Sequence, residues 1–169
     1  MLYKKIICAV MVIATLAWIG FIWSNSMKNG QESGEMSHKT QEIINHVSQQ
    51  IGVETEVTEK VVRKSAHFTE FFVLGGLLCV DMLIFGIASY RRNISQLLLL
   101  LCSPVVSFFI ASADEFIQRF SEGRCCQFTD VLIDFGGACA STAIILAVLF
   151  IVRRVLLKHQ GDTYKPDET

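Results

Sequence analysis

Residues 6–23 read IICAVMVIATLAWIGFIW, without a single charge. At a rise of about 1.5 Å per residue, such a run covers the roughly 30 Å of hydrocarbon in a bilayer. Three further stretches meet the same test. About Ala66 to Tyr90 is apolar from Phe71 onward except for Asp81, Ile94 to Ala113 contains Pro104, and about Val131 to Val152 carries Asp134 just inside its start. The expectation is an all-α polytopic membrane protein with four transmembrane helices in a bundle. It forms one domain over residues 1–169, with spans near 6–23, 66–90, 94–113 and 131–152. Loops 24–65 and 114–130 lie on one side, and a tail follows from 153.

Composition supports this reading. Apolar residues make up 51% of the 169-residue chain and charged ones 18%, a balance that excludes disorder, collagen, a coiled coil or a disulfide-stapled secreted domain. A mean hydropathy of +0.44 survives dilution by polar ends. The net charge of −1 gives no basis for a nucleic-acid partner. The expected partner is the lipid bilayer.

Lys4 and Lys5 ahead of an apolar run also suit a signal peptide. The run is longer than a usual signal core, and Ser24-Asn25-Ser26 is a poor cleavage site, so a retained anchor is expected. Lys4, Lys5, Arg91, Arg92, Arg153, Arg154 and Lys158 fall on one side of a four-span arrangement. By the positive-inside rule that side is the cytoplasm, with both termini there and loops 24–65 and 114–130 outside. Arg63, Lys64, Arg119 and Arg124 on the outer side weaken the bias. Cys8, Cys79, Cys102 and Cys139 lie in separate spans, and Cys125-Cys126 are adjacent, which permits a bridge only with strain. With His38, His46, His67 and His159 they make no metal-ligand spacing, so no metal and no cofactor is assigned.

Within the first outer loop, Met36, Ile43, Val47 and Ile51 repeat on one helical face opposite Lys39, Glu42 and Gln49, with Gly52 as a stop. An amphipathic helix there is expected to act as a lid or packing element, or to contact a lipid-like ligand. Another helix is expected to start near Thr58 and run unbroken into the second span.

Ionisable residues are the functional clue. With Arg63 at zero on a helix of about 100° per residue, His67, Glu70 and Asp81 fall within about 40° of it. Asp114, Ser107 and Ser103 share a face of the third span, with Gln118 a turn beyond. Asp130, Asp134, Gly137 and Ser141 share one on the fourth. Charges near lipid are costly, so these stripes are expected to turn inward, with Arg63, Arg124 and His67 pairing with Glu70, Asp114, Glu115, Asp130 and Asp134. Asp81, roughly 16 Å further along the helix than Glu70, is expected to be protonated, bonded to Ser103 or Ser107, or part of a proton path.

Arginines with a histidine suit an anionic headgroup, and carboxylates beside a histidine suit acid–base chemistry. Asp114, Glu115 and Glu70 with Asp130 and Asp134 suit a divalent cation as an alternative. The spacing does not choose. The candidate ligand-binding set is Arg63, His67, Glu70, Asp114, Glu115, Gln118, Arg124, Asp130 and Asp134, with His67 and Glu70 as acid/base groups if the protein is an enzyme.

Two segments resemble the VanZ-like family of bacterial membrane proteins. Arg63-Lys64-Ser65-Ala66-His67-Phe68-Thr69-Glu70-Phe71 is close to that family's R-K-x-x-H-F-x-E-[FY] signature. Asp114-Glu115, Gln118, Phe120, Gly123-Arg124, Asp130-Val131-Leu132 and Gly136-Gly137 follow its second pattern, and Ser24-Asn25-Ser26 resembles its short serine-containing exit from the first span. Asp134 stands where that pattern more usually has asparagine, either neutral or as a charge that needs Arg63 or Arg124 nearby. The resemblance implies a bacterial cytoplasmic-membrane protein of the cell envelope. The family is named for a protein that lowers sensitivity to teicoplanin, although that branch carries a different segment at residues 63–71. The expected function is an outward-facing polar pocket for an anionic envelope lipid, lipid-linked precursor or lipoglycopeptide. The alternatives are an enzyme on such a lipid, and a structural or partner subunit without ligand.

Overall fold

In a computed structural model the chain is all-helical among the described residues, which are 2–52, 57–89, 96–124 and 127–163. Five helices follow one another: α1 (Leu2–Ser26), α2 (Gly30–Gln50), α3 (Glu59–Ser89), α4 (Gln96–Gln118) and α5 (Phe128–Thr163). Four of them, α1, α3, α4 and α5, are long and apolar enough to cross a membrane. The protein is therefore a multi-pass helical membrane protein. The Arg91–Arg92 turn and Cys125–Cys126 lie outside the described residues.

The intervening helix forms where the apolar period placed it. Asn29 caps α2 by accepting the Glu32 N–H at 2.8 Å, and Gly52, at φ +75°, follows its C-terminal cap. Thr58 accepts the N–H groups of Val61 and Val62, starting α3 where the sequence places it. Asn45 then ties the two together, accepting the Val57 N–H at 2.9 Å and donating to its carbonyl at 3.3 Å. The bundle-facing side of α2 carries Ser33, Ser37, Thr40 and Ile44. Ile43, Val47 and Ile51 stay exposed as an apolar stripe.

Two helices outrun their expected ends. α4 continues through Asp114 and Glu115 to Gln118, which places both carboxyls on a rigid element. α5 continues to Thr163 over residues expected to form a tail, with Arg154 lying 5.1 Å over the Phe150 ring.

Packing is centred on the contact of α3 with α5, the most extensive in the fold. Phe71, Leu74 and Leu78 of α3 join Ile22 of α1, Ala111 of α4 and Val131 of α5 in the buried core. Close approach depends on two glycines. A methyl group on Gly137 would collide with the Phe68 carbonyl, and one on Gly75 would meet the Ala138 Cα at 2.7 Å. Small residues of this kind let membrane helices approach until their backbones touch. Gly75 also exposes its carbonyl, which accepts the buried Ser103 hydroxyl from α4 at 2.9 Å. Ser103 is thus taken, and Asp81 is met from the other side, where Thr15 on α1 donates to its Oδ2 at 2.6 Å. The expected Ser103 or Ser107 partner is replaced because α1 packs along α3 at this depth.

Gly137→Ala is expected to lower the stability of the detergent-solubilised protein by about 1–3 kcal/mol, the usual cost of overpacking. Gly76→Ala has open space around its new methyl and serves as the matched control. Equal thermal midpoints for the two variants would contradict the seam.

Candidate functional site

At the end of the bundle where α2 lies, a cavity of about 720 Å³ opens between α1, α2 and α3, with Arg124 contributing from the α4–α5 connection. Its apolar walls include Trp18 and Phe21 of α1, Met36 and Ile44 of α2, and Val61, Val62 and Val73 of α3. Its ionisable lining consists of Lys28, Arg63, His67, Glu70 and Arg124. Among the described lining residues three permanent cations therefore face one carboxyl.

Each of these groups is positioned by identifiable contacts. Glu70 accepts from Asn25 Nδ2 at 2.8 Å, while its own carbonyl accepts the Trp18 indole N–H at 2.9 Å. Lys28 donates to the other end of Asn25 at 2.9 Å. Arg124 reaches the carbonyl oxygens of Asn25 and Ser26, both at 3.4 Å. The Ser121 hydroxyl donates to the same Ser26 carbonyl at 2.9 Å. The end of α1 and the α4–α5 connection are thereby fastened together. Gly30 N–H to the Glu122 carbonyl, 2.8 Å, adds the start of α2 to the same junction. Burial, then the like charge of Arg63, pushes the Arg124 pKa below its ordinary value. An arginine stays protonated regardless, so two like charges, Arg63 and Arg124, stand near each other at this cavity.

Behind the cavity wall lies a carboxyl layer. Asp114 and Asp134 are fully buried and Glu115 is 2% exposed. Asp114 accepts from Gln118 Nε2 at 2.9 Å, and the same amide reaches Ser26 Oγ at 3.4 Å. Glu115 accepts the Gln127 N–H at 3.0 Å, pinning the approach to α5. His67 Nδ1 lies 4.0 Å from Asp134 Oδ1. One donor atom each from His67, Asp114 and Asp134 falls within 4.8 Å of the other two.

The three polar stripes meet: of the expected pairings His67 with Asp134 is present at 4.0 Å, while Glu70 and Asp130 find other partners. His67, Arg63 and Glu70 line one cavity with Arg124, while Asp114, Glu115, Gln118 and Asp134 sit in the layer behind. Asp130 forms a 3.0 Å salt bridge with Lys64. Lys64 was not among the candidate residues. Its position one residue from Arg63 turns it toward α5 while Arg63 faces the cavity, a distinction that depends on the rotation of α3. The alternative all-oxygen cation set does not assemble, since Glu70 turns to Asn25 and Asp130 to Lys64. Asn25, Ser26 and Lys28 were also missed as site residues. The Ser24-Asn25-Ser26 exit from the first span holds the available signal, a short run of common polar residues.

A family model described as VanZ/LLP1 matches residues 11–152. The chain belongs to the VanZ/LLP1 family. No curated protein and no solved structure matches it. The matched range takes in every cavity-lining and carboxyl-layer residue described above.

Asn25→Ala removes the partner of Glu70 and the anchor of Lys28 together. Losing a hydrogen bond to a charged group costs about 1.5–3 kcal/mol, so its thermal midpoint in detergent should fall clearly. A midpoint equal to wild type would show that Asn25 does not hold this end of the bundle.

Proposed function

We propose that this VanZ/LLP1 protein binds an anionic lipid or lipid-linked envelope ligand in the cavity between α1, α2 and α3. The observation that carries the reading is the cavity lining itself: among the described residues Lys28, Arg63 and Arg124 stand against one carboxyl, that of Glu70, beside walls of Trp18, Phe21, Met36 and valines. A phosphate or carboxylate headgroup matches the guanidiniums in bidentate geometry. An acyl or prenyl chain matches the apolar walls. The exposed apolar stripe of α2 supports a position for this helix at a membrane surface, where such ligands reside.

The proposed location is the bacterial cytoplasmic membrane, with both termini in the cytoplasm and the cavity facing outward. Lipoglycopeptides such as teicoplanin act at that outer surface, and the proposed physiological role is reduced drug access through engagement of a lipid-linked target there. A second reading, an enzyme acting on the same lipid, draws on the presence of both His67 and Glu70 in the cavity lining, where they would act as acid and base.

Native mass spectrometry of the solubilised protein with phosphatidylglycerol and phosphatidylcholine tests the binding. Preference for phosphatidylglycerol, reduced about tenfold by Arg63→Ala or Arg124→Ala, is the expected result. Equal retention of the two lipids would overturn it. In cells lacking the gene, wild type should restore teicoplanin tolerance and Arg124→Ala should not, at matched membrane abundance. Turnover of a lipid that stops in His67→Ala while binding persists would favour the enzyme.

A further inference from the structure

Asp134 is wholly buried, and neither oxygen of its carboxylate has a hydrogen-bond partner among the described residues. His67 Nδ1 is unpaired in the same way and points across 4.0 Å at Asp134 Oδ1, beyond hydrogen-bond reach. Asp114 completes the group from a third helix, its carboxylate oriented by Gln118. Bare carboxylates in an apolar interior cost several kcal/mol each unless a proton or a cation compensates them.

We propose that His67, Asp114 and Asp134 hold one divalent first-row cation through His67 Nδ1 and one oxygen from each carboxylate. An imidazole nitrogen with two carboxylate oxygens and no thiolate is a donor set that suits Zn²⁺ or Mn²⁺. Two carboxylates and a dication sum to zero, which turns the most expensive feature of the bundle into a neutral one. Donors around a four-coordinate ion at about 2.1 Å stand about 3.4 Å apart, so the present spread of up to 4.8 Å closes with small side-chain rotations. Gln118 on Asp114 Oδ2 is the outer partner that fixes a ligating carboxylate, leaving its second oxygen for the ion. His67 also lines the cavity, so the proposed ion site adjoins it. The site belongs to the helix bundle and does not depend on the lipid ligand proposed above.

The test uses the full chain, purified in detergent, stripped with chelator and titrated with Zn²⁺ or Mn²⁺ alone. One ion per chain should bind, and it should raise the thermal midpoint. Asp134→Asn keeps the shape and removes the charge, and should weaken binding at least tenfold and abolish the metal-dependent rise in midpoint. His67→Gln should do the same, and decides the matter if Asp134→Asn does not fold. Glu42→Gln, on the exposed face of α2, should bind the ion as wild type does. The proposal is overturned if folded wild-type protein binds neither ion at micromolar concentration, or if Asp134→Asn and His67→Gln bind as well as wild type. A proton shared among the three side chains predicts that first outcome, together with an Asp134→Asn variant as stable as wild type. Failure of lipid binding with the ion still bound would count against the cavity reading alone.

Discussion

Three carboxyl groups, those of Asp114, Glu115 and Asp134, lie at most 2% exposed inside a bundle whose outer surface is apolar. Hydrocarbon offers no hydrogen bonds and little screening, so a carboxyl turned outward would cost more than any packing contact could return. The rotation of α4 and α5 about their axes is set by this constraint. With Asp114 and Asp134 directed inward, Phe109, Phe116, Ile144 and Val148 turn outward. The same rotations deliver His67 of α3 to the carboxyl layer and set Arg63 and Glu70 against the open cavity.

Convergence on this scale requires the helices to come unusually near one another. Gly75 and Gly137 provide it, since their missing side chains let α3 and α5 meet backbone to backbone. The seam lies between two polar layers. On one side Ser103 reaches the carbonyl that Gly75 leaves bare, and further along Cys79 and Thr142 pair at 3.4 Å. On the other stand His67 and Asp134. A bulkier seam would open both layers to lipid and leave polar groups without partners.

The division of labour between cavity and carboxyl layer gives the protein its chemical character. Apolar walls and guanidiniums on one side of His67 suit an amphiphilic anion, while acids on the other side suit a cation. His67 stands in both environments. Asn25, Ser26, Ser121 and Arg124 join the end of α1 to the α4–α5 connection and so hold the two halves in register. Backbone carbonyls at a helix end are natural partners for arginine, because the last turn leaves them without intrahelical donors.

The number of helices able to span a membrane, the amphipathic helix between the first two and the start of α3 near Thr58 were all legible in the sequence, and so was the meeting of the polar stripes around His67, Asp114 and Asp134. Each depends on local facts: the length of an apolar run, a 3.6-residue period, a capping residue, a glycine at a helix stop. His67 facing Asp134 was among the expected pairings, but most individual partners were not legible. Asp81 with Thr15, Glu70 with Asn25 and Lys64 with Asp130 are contacts between helices, and each depends on axial rotation and offset that no single segment encodes. Sequence period assigns a residue to a face to within some tens of degrees. Whether that residue meets a carboxylate, a carbonyl or open space is decided by the neighbour's rotation, which follows from burying every charge of the bundle at once.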